Sequence, residues 1–141
     1  MPPDSSPAPT DPFSFLGCED IESAEVPIEP PGGGAPLMFV TLAGPTHRVR
    51  RDVVVARTRR IREATAKAGR LALGDPAQDE DDETDLLVSC TLSWRGSDSL
   101  PVFSPAAVRA LYTNRRYRWV REAVKEALDD RARFTTRSAP L

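Results

Sequence analysis

Residues that carry enzymatic or metal chemistry are scarce in this chain, which has one histidine, two cysteines and only 6% aromatic residues. His47 follows a Gly44-Pro45 turn with no cysteine or carboxylate at metal-ligand spacing, so it reads as an exposed residue near a helix cap. Cys18 lies in a Pro-rich acidic stretch and Cys90 in an apolar run, and they match no redox or zinc spacing. They read as a surface thiol and a core residue. A nucleophile elbow, a Gly-rich phosphate loop and an HExxH helix are all missing. The glycines at 32–34 are flanked by prolines and belong to a turn, and the acidic run lacks the glycine and the bidentate glutamate of a calcium loop. These gaps point to a binding protein, not an enzyme, with no catalytic residue, cofactor or metal.

Long apolar runs are missing too. No window approaches the roughly 18 apolar residues that a membrane span needs. The start, MPPDSSPAPTDPF, has neither the basic residues nor the apolar stretch of a secretory signal, so a cytoplasmic protein without a membrane partner is expected.

Proline, in contrast, is plentiful at 14 residues, and charge is segregated behind a net value of only −2. Residues 46–70 carry +7 and residues 75–85 carry −7. The first block gives an electrostatic surface of Arg50, Arg51, Arg57, Arg59, Arg60 and Arg62. It reads first as a solvated helix, second as a face shielded by the acidic run until a partner displaces it, and third as a nucleic-acid surface. Interleaved aromatics for base stacking are missing there, so nucleic acid is the weakest of the three.

Along the chain, residues 1–23 read as a disordered Pro/Ser/Asp-rich lead-in in which Phe13, Phe15 and Leu16 form an apolar island, read as docking on the chain's own fold. Residues 24–134 read as one mostly helical domain, and 135–141 as a tail. Glu25-Val26-Pro27-Ile28 and Leu37 to Leu42, separated by Pro30-Pro31-Gly32-Gly33-Gly34, read as a small N-terminal β-hairpin, with the first strand at an edge because of Pro27. A long basic helix follows, with Thr46 as N-cap and Val49, Val53, Ala56, Ala64, Ala68 and Leu71 on one stripe interrupted by Arg60. Residues 74–84 read as a mobile acidic linker. Residues 86–94 suit a strand almost as well as a helix, and the carboxylates upstream favour the helix. Ser104-Pro105 opens a short helix, and a last amphipathic helix carries Tyr117, Val120, Val124, Ala127 and Leu128 on one face. The expected fold is mainly α (α+β): a small N-terminal hairpin, a long basic helix and about three further helices.

Two segments carry a family likeness. LLVSCTLSW, a short turn, and LPVFSPAAVRALYTNRRYRWVREAVKEALDDRARF run from Leu86 to Phe134, and Thr41-Leu42-Ala43-Gly44-Pro45 precedes the Arg-rich helix. An apolar stretch ending in Trp94, a Phe103-Ser104-Pro105 helix start and a closing helix resemble the tail assembly chaperones of long-tailed bacteriophages. The resemblance covers about two thirds of the chain. Arg133 stands where the pattern usually has Asn before the final Phe, the loop after Trp94 is short, and residues 1–23 have no counterpart. The resemblance implies binding to the tape measure protein and recruitment of tail tube subunits in the host cytoplasm, with the chaperone left out of the mature virion. It also implies binding through apolar surface, for which Trp94, Phe103, Tyr117 and Trp119 are the candidates, and it leaves self-association open. The alternatives are a structural neck or tail virion protein and a small nucleic-acid-binding protein using residues 46–70.

Overall fold

The computed structural model describes residues 11–69 and 76–137. Expectations that fall on residues 1–10, 70–75 and 138–141, including part of the lead-in, part of the linker and Leu71, lie outside the described residues.

A three-stranded antiparallel sheet, ordered β2-β3-β4, forms one layer of the body from Ser23–Ile28 (β2), Met38–Ala43 (β3) and Thr91–Gly96 (β4). The register sets Val26 opposite Val40 and Val40 opposite Trp94. Alternate residues therefore face inward, and Val26, Ile28, Met38, Val40 and Leu42 are buried. Pro27 has no amide hydrogen to donate, and it sits in β2, which pairs with β3 alone. The 29–37 connection turns through Gly33 and Gly34 at positive φ.

Between β3 and β4 the chain leaves the sheet as two helices, Arg48–Ala68 (α1) and Pro76–Cys90 (α2), and afterwards adds Pro105–Thr113 (α3) and Arg118–Asp129 (α4). Leu87, Val88 and Cys90 of α2, Val108 and Tyr112 of α3, and Val120, Val124, Ala127 and Leu128 of α4 join the inner sheet face in one core. Burial pushes the Cys90 thiol up to about 11 against a weak opposing pull from Arg50. Ser104 Oγ accepts the Ala107 amide with Pro105 in the first turn, as the Phe103-Ser104-Pro105 start anticipates.

A mainly α chain with a two-stranded N-terminal hairpin is not what forms. The fold is a mixed α+β one, because residues 91–96 leave the helix and pair with the far side of β3, making β3 the central strand. Residues 86–94 are thus divided: helix to Cys90, strand from Thr91. Thr91 Oγ1 donates to the Leu87 carbonyl at 2.8 Å and lies 2.7 Å from the Tyr112 hydroxyl, so the last turn is closed by the side chain that begins the strand.

The linker expectation is also overturned, since residues 76–84 are the opening turns of α2. The described parts of the lead-in and the tail, residues 11–23 and 135–137, are corrected as well. Cys18–Asp20 (β1) pairs antiparallel with Thr135–Arg137 (β5), and Arg131 holds Asp20 at 2.8 Å. Phe13, Phe15 and Leu16 do not dock, being 64%, 80% and 63% exposed. Gly44 is essential to this closure: a Cβ there would stand 2.7 Å from the Ile21 carbonyl oxygen and 3.0 Å from the Phe134 ring. Its amide donates to Glu22 at 2.7 Å.

One buried charge organises the helices. Arg121 of α4 is 2% exposed. It donates to Thr84 Oγ1 at 2.7 Å, to the Glu80 and Tyr112 carbonyls, and to Glu83 at 3.3 Å. Glu83 also takes Lys125 at 3.1 Å. Burial alone would raise the Glu83 carboxyl, but hydrogen bonds and charge from Lys125 and Arg121 outweigh it and hold it below 4.5.

Arg121→Ala leaves Thr84, two carbonyls and a carboxylate short of a partner, and is expected to cost about 3 kcal/mol in urea unfolding. A gentler loss is expected from acid. Because the folded Glu83 value is depressed, its contribution is present above 4.5 and is lost as pH falls through the lower folded value. Thermal melts of Glu83→Gln should therefore show a flatter decline than wild type over that acid range, and equal slopes would refute the assignment.

Candidate functional site

α1 is the unusual element. It runs 21 residues, about 30 Å at 1.5 Å per residue, and none of them is buried. Its ends are fastened. His47 Nδ1 accepts the Val49 amide at 3.1 Å, taking the capping place expected of Thr46, and Gly69 closes the other end at φ 68 with its amide on Thr65. Arg50 reaches back to the body, donating to the Leu128 carbonyl at 2.8 Å and lying over the Phe134 ring.

The middle of α1 is held mainly by charge. Arg60 meets Asp82 of α2 at 2.5 Å and Arg57 meets the same carboxylate at 3.9 Å. The Asp82 side chain is only 9% exposed, whereas both arginines are about half exposed. Arg60, which interrupts the apolar stripe in sequence, therefore sits there because α2 presents a carboxylate to it.

Where α1 stands off the body, a groove of about 760 Å³ opens between α1, α2 and the end of α4. Val53, Val54 and Ile61 form one wall, and partly exposed Leu86 with the nearly buried Leu87 and Leu128 line the body side. Val54 and Ile61 are 55% and 40% exposed, apolar side chains left uncovered on a helix that buries nothing else. Arg57, Arg60, Asp79 and Asp82 line it as well. Apolar residues with a charged rim match the needs of an amphipathic helix, recognised by anchors at i, i+3, i+4 and i+7.

The sequence-derived candidates fall elsewhere. Trp94 and Phe103 meet edge to face, with ring centroids 5.6 Å apart, and the indole donates to the Pro101 carbonyl. Both pack against the core, as does Trp119. Tyr117 is 44% exposed in the short 3-10 turn before α4. None of the four lines the groove. Of the arginines, Arg50 is tied to the body, Arg57 and Arg60 are paired with Asp82, and Arg51, Arg59 and Arg62 have no ion-pair partner among the described residues. Val53 lay on the expected stripe; Val54 and Ile61 did not, and only the position of α2 and α4 reveals them.

Among the described residues no group of three or more His, Cys, Asp or Glu side chains could hold a metal ion, and no helix is long and apolar enough to cross a membrane. Asp82→Asn should speed amide hydrogen exchange along residues 53–64 while leaving β2 and β3 unchanged; uniform exchange in both proteins would show that packing, not the ion pair, seats α1. No family model, curated protein or solved structure matches the chain.

Proposed function

We propose that this protein is a tail assembly chaperone of a long-tailed bacteriophage, non-enzymatic, acting in the host cytoplasm and absent from the finished particle. It binds helical segments of the tape measure protein and helps gather tail tube subunits around them. The observation that carries this reading is the groove, with Val54 and Ile61 uncovered on one wall and Leu86, Leu87 and Leu128 opposite. A long tape measure helix exposes an apolar stripe that aggregates unless covered, and a groove of this shape covers such a stripe without chemistry. The order of motifs from Thr41 to Phe134 supports the same reading.

The groove replaces the four aromatics as the main binding surface in this proposal. Trp94, Phe103 and Trp119 pack against the core, and Tyr117 is an exposed side chain outside the groove.

Co-expression with the tape measure and tail tube proteins of the same genome should yield a soluble complex, while tape measure protein alone precipitates. Val54→Asp with Ile61→Asp, at exposed positions that leave the core intact, should weaken tape measure binding by about tenfold or more. A tape measure protein that stays soluble without this chain, or recovery of this chain in purified particles by mass spectrometry, would refute the proposal and favour a neck or tail virion component.

A further inference from the structure

The charges that line the groove are mostly satisfied within the fold. Arg57 and Arg60 hold Asp82, Lys125 holds Glu83, and Asp85 is taken by Arg109. Arg50 donates to the Ala43 and Leu128 carbonyls. Two carboxylates are left over. Asp79 of α2 and Asp129 of α4 both line the groove and are exposed, and neither has an ion-pair partner among the described residues. They stand at opposite ends. Arg60 meets Asp82, one turn of α2 after Asp79, whereas Arg50 bonds the carbonyl of Leu128, the residue before Asp129. Arg50 and Arg60 are ten residues apart on α1, about 15 Å at 1.5 Å per residue.

Local helix energetics accounts for only one of the two. Asp79 is in the first turn of α2, where an acid offsets the helix dipole. Asp129 is the last residue of α4, at the negative end of the dipole, and that turn holds no basic residue. An acid there works against its own helix. The cations near it in sequence are engaged elsewhere, Lys125 with Glu83, Arg131 with Asp20 and Arg133 with Asp130. A carboxylate that the fold does not use, exposed at the end of an apolar groove, is free to meet a partner's cation.

We propose that the groove selects a helix with a Lys or Arg at each end of its apolar stripe, one cation meeting Asp79 and the other Asp129. This inference rests on the groove reading and adds the sequence that the groove prefers. At about 100° per residue, positions i, i+4, i+7 and i+11 share one face, and i to i+11 spans about 16 Å. The preferred pattern is therefore a cation, apolar residues around i+4 and i+7, and a second cation at i+11. It reads the same in either direction along the groove. The exposed Phe13, Phe15 and Leu16 of a second copy have the wrong charge for this place, because Asp11 and Glu19 flank them.

Fluorescence anisotropy of three labelled, Ala-based helical peptides against the full chain at low ionic strength tests the selection. All carry Leu at i+3, i+4, i+7 and i+8 and differ only at i and i+11, which are both Lys, both Gln or both Glu. The Lys peptide should bind at least about tenfold tighter than the Glu peptide, and added salt should narrow the gap. Asp79→Asn with Asp129→Asn should level the three affinities. Asp79→Lys with Asp129→Lys should reverse their order, a gain that misfolding cannot produce. Asp129→Asn alone should not lower the melting temperature, since it removes an acid from the negative end of α4; a fall would make Asp129 a structural residue and overturn the assignment. Val54→Ser with Ile61→Ser strips the apolar wall without changing charge and should weaken all three peptides. If it does so while wild type binds the Lys and Glu peptides alike, the groove reading stands and the charge selection falls. Peptides that bind this variant as well as wild type, or that fail to bind wild type at all, overturn the groove reading and the inference together.

Discussion

The fold depends on a single guanidinium. Arg121 is buried in α4 between α2 and the end of α3, and it gathers the Thr84 hydroxyl, two backbone carbonyls and the Glu83 carboxylate. A buried cation is costly without partners, which favours the setting of α2 that presents Thr84, Glu83 and the Glu80 carbonyl to it. That setting turns Leu87, Val88 and Cys90 to the core and brings Thr91 beside Tyr112, where the helix ends and β4 begins. The third strand of the sheet thus follows from a contact made by a residue thirty positions later in the chain.

This is also why the acidic stretch misleads a local reading. Taken alone, seven carboxylates within residues 75–85 repel one another and read as a linker. In the fold, Glu80 faces Arg118, Asp82 faces Arg57 and Arg60, Glu83 faces Arg121 and Lys125, and Asp85 faces Arg109. All these partners lie more than twenty residues away, beyond the reach of periodicity or propensity. Local signals worked where local chemistry decides, as in the Ser104-Pro105 cap and the amphipathic face of α4. They failed at residues 86–94, where the core claims one half of an apolar run and a strand edge claims the other. The pairing of residues 18–20 with 135–137 spans most of the sequence and was equally out of reach.

The candidate site shows the same division. Aromatics were reasonable guesses for a binding surface, but in a chain with so few of them the core and its margin use Trp94, Phe103 and Trp119 for packing. The uncovered apolar surface belongs to modest side chains, Val54 and Ile61, made conspicuous only by the way α1 stands away from the body. The helix is fastened at its ends and along its length chiefly by polar contacts, so its seating responds to ionic strength while the core does not.

The two helices leave the sheet after β3 and return to it at β4, and Leu42 is the register partner of Thr91. Adjacent strands stand only about 4.8 Å apart, so departure and return are neighbours whatever lies between them. The two helices are thus an excursion between neighbouring strands, in which α1 buries no residue while α2 gives Leu87, Val88 and Cys90 to the core. The length of α1 can therefore change by whole turns, about 5.4 Å at a time, without touching a core residue. The length of that helix is thereby separated from the stability of the body.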